Sequence, residues 1–345
     1  MTDDVVARAR SGDEQAFAEL VGPYRRKLHL HCYRLLGSLT DAEDVLQETL
    51  VAAWRGLHEF QQRASVRTWL YRIATNRCLN HVRDRARRVP PSPVPPFDPP
   101  ARTRRSEITW LQPYPDALLD QLPQPASDPE TRYGLRESVE LAFVAGLQRL
   151  PPRQTAALVL RDVLGYSTAE AAAILGVTPT VVKGALQRAR ATLAQDRPTE
   201  PSAERTAVGP QEEQDLPHRF AAAFLAGDVP GLLRLLTDDA WLAMPPAPHV
   251  YRGPAAIAAF LRASGEWRDR RTGVLLPTRA NRQPAFGYYL AEGGEPLARP
   301  AGMVVLTLRA GRLAGVTRFL DDRLLARFGL PAAAPTAGAR DGVPT

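Results

Sequence analysis

The sequence predicts a multidomain protein with two all-α blocks, a Pro-rich linker between them, and a C-terminal α+β block. Apolar residues recur at helical spacing through residues 5–88 (first block) and 136–194 (second block). Between them, residues 89–135 hold 12 of the chain's 32 prolines and should run extended as a connector. A polar stretch at 195–215 then predicts a flexible linker. Residues 216–330 (third block) combine helical and strand-like patterns, as expected for an α+β domain with an antiparallel sheet.

The composition favours a partner that carries many negative charges. The 345 residues have a formal net charge of +7 and a pI near 9.8, which suits nucleic acid without identifying it. Two cysteines without metal-like spacing give neither a disulfide framework nor a metal site. The N-terminus lacks a secretory signal, and no apolar run reaches the ~20 residues of a membrane span. We therefore expect a cytoplasmic protein with no membrane contact, metal or cofactor, and a disordered tail at 331–345.

The first block should contain three long helices, at residues 13–37, 40–57 and 67–88. Thr40 is followed by Glu43 three residues later, the spacing of a capping box that would start the second helix. This second helix carries an acidic face, because Asp41, Asp44 and Glu48 recur at helical spacing. Acidic side chains repel DNA, so this face indicates a basic protein partner; a solvated charged face is the alternative.

The third helix of the first block has the opposite charge. From Arg63 to Arg88 there are eight arginines and one acid, Asp84. Trp69 and Tyr71 lie among the arginines. Arginines interleaved with aromatic rings are typical of single-stranded DNA binding, where cations follow the backbone and bases stack on rings. In the alternative interpretation the aromatic side chains, Trp69 included, belong to the core and the arginines are solvated.

The second block ends in a predicted helix-turn-helix. Ser167 and Glu170 form a capping-box pattern that begins a short helix, and Gly176 ends it. Thr178 then caps a second helix whose first residue is Pro179, where the missing N–H costs nothing. An apolar seam would pack this helix inward, and it comprises Val182, Leu186, Ala189 and Leu193.

The opposite face of this second helix carries polar and basic side chains that suit phosphates and base edges in the major groove. A helical hairpin with an ordinary solvated face is the alternative. The candidate DNA-contacting residues of this face are Thr178, Thr180, Lys183, Gln187, Arg188 and Arg190.

The third block offers a candidate pocket but no convincing catalytic set. Aromatic and apolar residues at strand spacing predict core or pocket lining, namely Trp241, Met244, Tyr251, Phe286 and Tyr288. An acid–base pair would have to come from His249 or Tyr251 with Asp321 or Asp322. A histidine next to a proline is more typical of a loop, so we expect no enzymatic activity.

Two stretches together resemble a known family. "DAEDVLQETLVAAWRGLHEF" followed by "RTWLYRIATNRCLNHVRDRARR" looks like region two of bacterial sigma-70 family RNA polymerase sigma factors of the extracytoplasmic-function (ECF) group. "LQRLPPRQTAALVLRDVLGYSTAEAAAILGVTPTVVKGALQRARATL" is similar to region four of that group. The third block resembles the SnoaL-like, nuclear-transport-factor-two-like cone that some of these proteins carry at the C-terminus.

The resemblance implies specific partners. The protein would bind core RNA polymerase, at its clamp helices and flap, and promoter DNA, both double- and single-stranded. The polymerase-facing residues would be Asp41, Asp44, Gln47 and Glu48. The loop 60–65 and the helix after it would melt and hold the minus-ten strand, through Arg63, Trp69, Arg72, Asn76, Arg77, Asn80 and Arg83. The second helix of the helix-turn-helix would read the minus-35 element, and the Pro-rich linker would thread through the polymerase channel.

We therefore predict an alternative sigma factor that opens specific promoters and whose C-terminal domain modulates its activity. An anti-sigma protein or a small apolar ligand are further candidate partners. One rival is a free-standing, ligand-sensing transcriptional regulator, which would need neither the acidic face nor the Arg/aromatic helix. The other is an enzyme with the cone as its active domain, for which a catalytic set is missing.

Overall fold

A computed structural model describes the chain in seven stretches, residues 2–62, 64–85, 95–105, 111–122, 138–195, 210–245 and 247–336. The chain forms two compact units. The first combines Met1–Pro90 with Leu118–Thr199, and the second combines Pro91–Ala117 with Glu200–Thr345. Both helical blocks therefore belong to the first unit and the third block to the second.

The first block folds into four helices, α1 (Thr2–Arg10), α2 (Glu14–Leu36), α3 (Leu39–Gly56) and α4 (Val66–Arg85). Helix α2 ends at Gly37, whose left-handed backbone (φ 67°) suits a residue without a Cβ. Helix α3 begins earlier than the sequence predicts, because Leu39 and Ala42 are both buried. Its cap is Ser38, whose side chain accepts a hydrogen bond from the Asp41 N–H, and the predicted cap at Thr40 is wrong.

A short strand and a short helix, β1 (Arg104–Arg105) and α5 (Asp116–Asp120), follow in the segment expected to run extended. The second block then contains α6 (Leu141–Leu147), α7 (Pro152–Leu158) with a π-helical turn after it, α8 (Thr168–Leu175) and α9 (Pro179–Gln195). Ser167 and Glu170 form the predicted capping box. Gly176 ends α8 at φ 64°, and α9 leaves at 99° to α8. This angle confirms the helix-turn-helix geometry.

The two helical blocks pack against each other within the first unit. Helix α4 contacts α7 and α8, and α2 contacts α6. The buried Arg34 guanidinium donates to the Ser138 carbonyl (3.1 Å) and to the Ser138 hydroxyl (2.8 Å). These hydrogen bonds join residues that are far apart in the sequence, so the blocks are docked rather than merely adjacent along the chain.

The third block is an α+β domain, as predicted. Its helices are α10 (Pro210–Leu225), α11 (Val229–Leu235), α12 (Pro254–Arg268) and α13 (Leu324–Arg327). Its strands are β2 (Leu236–Ala243), β3 (His249–Arg252), β4 (Arg271–Ala280), β5 (Gln283–Glu292), β6 (Leu297–Arg309), β7 (Arg312–Phe319) and β8 (Ala334–Pro335). The strand order is β1-β3-β2-β7-β6-β5-β4, with β8 added to β6. All pairs are antiparallel except β2 with β7, so the sheet is mixed rather than purely antiparallel.

One face of this sheet curves around the domain's core. Phe220 and Phe224 of α10 and Phe260 of α12 pack against strand residues such as Phe286 and Val304. The same cluster of buried residues includes Met244, Tyr251 and Tyr288. Alternation along the strands places these side chains on one face. The helices cover that face and enclose a largely apolar interior.

Part of the predicted connector packs on the third block instead of running free. Residues Arg104 and Arg105 pair with β3, and Phe97 lies 5.5 Å from the Phe260 ring and 6.1 Å from the Trp267 ring, between centroids. The expectation of an extended linker fails here because residues 101–112 and 116–122 contain no proline. Such residues can donate backbone hydrogen bonds, and the Thr103 N–H donates to the Val250 carbonyl at 3.1 Å.

The C-terminal tail also departs from expectation in its described part. Strand β8 pairs with β6, and the Tyr289 hydroxyl donates to the Pro331 carbonyl at 2.8 Å. The Thr336 N–H donates to the Pro296 carbonyl at 3.0 Å. Residues 331–336 are therefore part of the domain, because the edge of β6 offers backbone partners that composition does not reveal.

Candidate functional site

Helix α4 presents a polar face along its length. Exposed side chains recur at the spacing of one helix face, at Arg72, Asn76, Asn80 and Arg83. Arg77, beside this face, is also exposed, and its Nη1 lies 3.7 Å from Glu48 Oε2 of α3. Arg63, the remaining predicted contact, lies outside the described residues.

The aromatic residues of α4 belong largely to the core. Tyr71 is 1% exposed and meets the ring of buried His31 edge to face, 5.0 Å between centroids. Trp69 is half-buried and stacks on Phe60 at 4.7 Å. Base stacking through Tyr71 would require unfolding. Trp69 can offer only the part of its ring that Phe60 leaves uncovered.

Burial also determines the protonation states of the His31 and Tyr71 side chains in this core. Burial lowers the pKa of His31 to about 3, so the imidazole is neutral at physiological pH. Its Nε2 lies 2.9 Å from the Thr75 hydroxyl of α4. Burial raises the pKa of Tyr71 to about 12. The packing between α2 and α4 therefore does not depend on charge in the neutral pH range.

The acidic face of α3 is divided between solvent and α4. Asp44, Gln47 and Glu48 are exposed, and Asp41 is half-buried. The Asp41 Oδ2 lies 3.4 Å from the Nε2 of His81 on α4. Asp44 and Gln47 thus form the outward part of the predicted polymerase face, while Asp41 and Glu48 also hold α3 against α4.

Helix α9 of the helix-turn-helix has one buried and one exposed face, as predicted. Val182, Leu186 and Ala189 are buried, and Leu193 is half-buried. The outward side chains Thr178, Thr180, Lys183, Gln187 and Arg188 are all exposed. This leaves one polar, cationic face on α9.

Arg190 differs from the other predicted minus-35 contacts. Its guanidinium donates two hydrogen bonds to Asp162, at 3.0 and 2.7 Å, and this pair raises the pKa of Arg190. A bidentate pair of this kind holds α9 to the π-helical turn at Val159–Val163. Sequence spacing alone could not show that Asp162, 28 residues earlier, faces Arg190.

Sequence reasoning missed a contact that joins the two helical blocks. The Arg67 guanidinium of α4 lies 4.6 Å from the centroid of the Tyr166 ring and donates to the Leu164 carbonyl at 3.1 Å. Tyr166 also meets the Tyr71 ring at 5.7 Å. The N-terminal turn of α4, near the predicted strand-binding loop, is therefore covered by the segment that leads into the helix-turn-helix.

The third block contains a small internal cavity of about 20 Å³. Its lining comprises Phe220, Phe224, Leu232, Leu236, Leu242, Ile257, Phe260, Leu261, Val304, Val316 and Arg318. None of the five predicted pocket residues lines it. Met244, Tyr251, Phe286 and Tyr288 are core residues around it, whereas Trp241 is half-exposed and packs at Gly315 on the face opposite to Leu242.

The hydrogen bonds described for the candidate acid–base residues Tyr251 and Asp321 go to partners other than each other. The Tyr251 hydroxyl donates to the Pro100 carbonyl at 3.0 Å and lies 3.5 Å from His249 Nδ1. The Asp321 carboxylate accepts hydrogen bonds from the Arg323 guanidinium. Among the described residues no group of three or more His, Cys, Asp or Glu could hold a metal ion.

No single helix in the described ranges is long and apolar enough to cross a membrane. The pair Thr168–Leu175 and Pro179–Ala194 meets the length and composition requirement only when its two bent helices are taken together.

Comparisons with known proteins define the class. Residues 20–88 match the family model of sigma-70 region 2, residues 140–193 match sigma-70 region 4, and residues 218–316 match a SnoaL-like domain. The ECF RNA polymerase sigma factor SigG of Mycobacterium tuberculosis is 44% identical over 94% of this chain and 86% of its own length. The chain belongs to the ECF family of RNA polymerase sigma factors.

Two further relatives agree with this assignment. The ECF sigma factor SigM of Mycobacterium tuberculosis is 33% identical over 55% of this chain and 82% of its own length. The crystal structure of SigJ from the same organism superposes with a TM-score of 0.58 over 89% of this chain and 97% of that chain, at 20% identity. At this identity SigJ supports the fold only. The sigma-factor interpretation is confirmed, and the free-standing regulator is not supported.

Proposed function

We propose that this chain binds core RNA polymerase through α3 and directs it to promoters by means of α4 and α9. The observation that carries the proposal is the coexistence of two solvent-facing surfaces of opposite charge on α3 and α4. Asp44 and Gln47 face outward from α3 beside Glu48, while Arg72 and Arg83 mark the exposed face of α4. A protein that only bound DNA would gain nothing from the acidic face, because it would repel the phosphates.

Helix α9 is the proposed reader of the minus-35 element. Lys183 and Arg188 would contact phosphates, which position the helix without distinguishing sequences. Gln187 is the candidate for base reading, because its amide can form a bidentate contact with adenine. Arg190 takes no direct part in this proposal, since its guanidinium is already held by Asp162.

The exposed face of α4 is the proposed site for the separated minus-ten strand. Asn76 and Asn80 offer amide donors and acceptors to unpaired base edges, and Arg72 and Arg83 offer charge to the strand's phosphates. Trp69 can contribute only the part of its ring that Phe60 leaves uncovered, because Phe60 stacks on one face of that ring. The polar side chains therefore carry most of the recognition.

The docked arrangement of the helical blocks is the proposed resting state. Elements at minus ten and minus 35 lie about 25 base pairs apart, which is about 85 Å at 3.4 Å per base pair. In this structure α4 contacts α8, and Arg67 binds the Leu164 carbonyl. Helix α8 also contacts the proposed reader α9. A helix-turn-helix packed on α4 in this way cannot reach the minus-35 element while α4 holds the minus-ten strand, so the blocks have to separate when the protein engages a promoter.

We further propose that the C-terminal domain modulates this step by holding the connector. The Asp116 carboxylate accepts hydrogen bonds from the Arg279 guanidinium (3.1 Å) and the Arg282 N–H (2.7 Å). The Tyr114 N–H donates to Asn281 Oδ1 at 2.7 Å, and the Asn281 N–H donates back to the Tyr114 carbonyl at 2.9 Å. A connector that is fixed at these points is shorter between its attachments than one that is free to run through the polymerase channel.

Run-off transcription with core polymerase tests both proposals. Core enzyme alone should give no promoter-specific transcript, and adding the full-length chain should produce one. A chain truncated after Gln195 loses the domain that holds the connector and should give a different amount of transcript at the same concentration. Specific DNA binding without any transcript would contradict the polymerase role, and equal output from both chains at every concentration would contradict modulation by the C-terminal domain.

A further inference from the structure

The interior of the C-terminal domain contains a buried arginine among apolar side chains. Arg318 lies on β7 two residues after Val316, so both side chains face the same side of the sheet. Both line the cavity of about 20 Å³, where Phe220, Phe224 and Phe260 provide the wall. Only 7% of Arg318 is exposed. A charged group in such a place requires compensation, because transfer from water to an apolar interior is very costly.

The described residues supply no carboxylate for Arg318. Its guanidinium lies over the Tyr288 ring, 4.8 Å from the centroid, and its Nε has no hydrogen-bond partner. The pKa of Arg318 is lowered, chiefly by burial; the Tyr288 side chain acts to raise it, and the nearby charge of Arg268 lowers it as well. The ring face offers a cation some attraction, but less than an ion pair would.

Two further buried polar atoms of this domain are also without hydrogen-bond partners. The buried hydroxyls of Tyr288 and Ser264 have no hydrogen-bond partner in the described part of the domain. Ser264 lies on α12, one turn before Arg268, whose guanidinium covers the Phe224 ring at 4.5 Å. Arg318 Nε and these two buried hydroxyls are thus polar atoms without a partner in the described part of the domain, and native proteins rarely leave such atoms unsatisfied. The Arg268 guanidinium, in contrast, donates to the Ser264 carbonyl at 3.2 Å and to the Phe224 carbonyl at 3.4 Å.

A second, larger space lies next to the cavity that Arg318 lines. This second cavity, of about 210 Å³, shares Leu232 and Leu261 with the first, and its charged lining residues are Arg262, Glu266 and Arg268. The inner cavity has room for a group of one or two water-sized atoms. The outer cavity is wide enough for a short hydrocarbon body.

We infer that the C-terminal domain binds a small monocarboxylate whose charged group pairs with Arg318 and whose apolar body lies among the Phe and Leu side chains. Arginine presents a planar fork that matches a carboxylate with two parallel hydrogen bonds. A single fork in an apolar cage suits one negative charge, whereas a phosphate would need more donors for its additional oxygens. The inference concerns ligand binding alone and holds whether or not the domain modulates transcription.

Titration calorimetry on the full-length chain tests this inference with benzoate and hexanoate as probes. Their amides, benzamide and hexanamide, serve as neutral controls of the same shape, and inorganic phosphate serves as an anion without an apolar body. At least one carboxylate should bind at least about tenfold more tightly than its amide and than phosphate. Arg318→Met should weaken carboxylate binding by about tenfold or more without lowering the unfolding temperature of the ligand-free protein, because it removes an unpaired buried charge. Arg312→Met, on the exposed end of the same strand, should bind like the wild type.

Several results would overturn the inference. They are carboxylates that bind no better than their amides or phosphate, a lack of binding by both carboxylates, or unchanged binding in Arg318→Met. If Arg318→Met does not fold, Arg318→Lys provides the same test, since lysine keeps the charge but loses the planar fork. Carboxylate binding that is unchanged in Arg318→Lys would equally contradict a bidentate pair.

Discussion

Lysine at both Asp44 and Gln47 is expected to reduce the affinity for core RNA polymerase by at least about tenfold. Both side chains are exposed on α3, and neither takes part in the ion pairs that join α3 to α4. The two substitutions remove one negative charge and add two positive charges on this face, which would oppose a basic partner surface, and like charges brought together at an interface cost several kcal/mol. Pull-down of core enzyme and the concentration dependence of transcription measure the effect.

A matched control separates surface charge from overall charge. Asp4→Lys with Gln15→Lys makes the same two substitutions at exposed positions of α1 and α2. This control should bind core polymerase like the wild type, and both variants should retain the wild-type unfolding temperature. If the α3 variant bound core enzyme as tightly as the control, the polymerase interface would have to lie elsewhere on the chain.

Alanine at both Asn76 and Asn80 is expected to reduce promoter opening by about tenfold or more while leaving initial promoter binding nearly unchanged. Each amide contact to an unpaired base contributes about 1 kcal/mol net, so two together contribute about 2 kcal/mol, more than the roughly 1.4 kcal/mol of a tenfold step. Both side chains are exposed, so the substitutions create no cavity. Permanganate reactivity of unpaired thymines measures opening, and a mobility shift measures binding.

The choice of asparagines follows from the packing of Trp69. Trp69→Ala would remove the partner of Phe60 and open a space in the small core around Val66, so loss of opening could reflect misfolding. Gln15→Ala, at an exposed site on α2, is the control for the asparagine pair. Equal permanganate signals from the double asparagine variant and this control would contradict a role of α4 in holding the separated strand.

Local signals in the sequence predicted the helical blocks well. The capping box at Ser167, the glycine at Gly176 and the apolar seam through Val182 and Leu186 are all confirmed. Each rests on residues within a few positions of one another. The start of α3 was mispredicted because Ser38 and Thr40 are both good caps, and only the burial of Leu39 decides between them.

The contacts that the sequence could not predict are those between distant residues. Arg67 meets Tyr166, and Asp116 meets Arg279, across separations that no local pattern encodes. Arg318 is different, because a signal was present. Arg318 is two residues after Val316, so the two side chains face the same side of β7. Val316 pairs with the buried Leu242 of the neighbouring strand β2. The strand spacing therefore predicts a charged residue on the inner face of the sheet.

The distance between the two helical blocks tests the proposed opening most directly. Cys32 and Cys78 are buried, so fluorescent labels can be directed to cysteines introduced at the exposed residues Lys27 of α2 and Ala191 of α9. We predict a short distance in the free protein, about the 30 Å diameter of a small domain. In the open promoter complex it should lengthen toward about 85 Å, the spacing of the two promoter elements. An unchanged distance in a complex that produces transcript would contradict separation of the blocks.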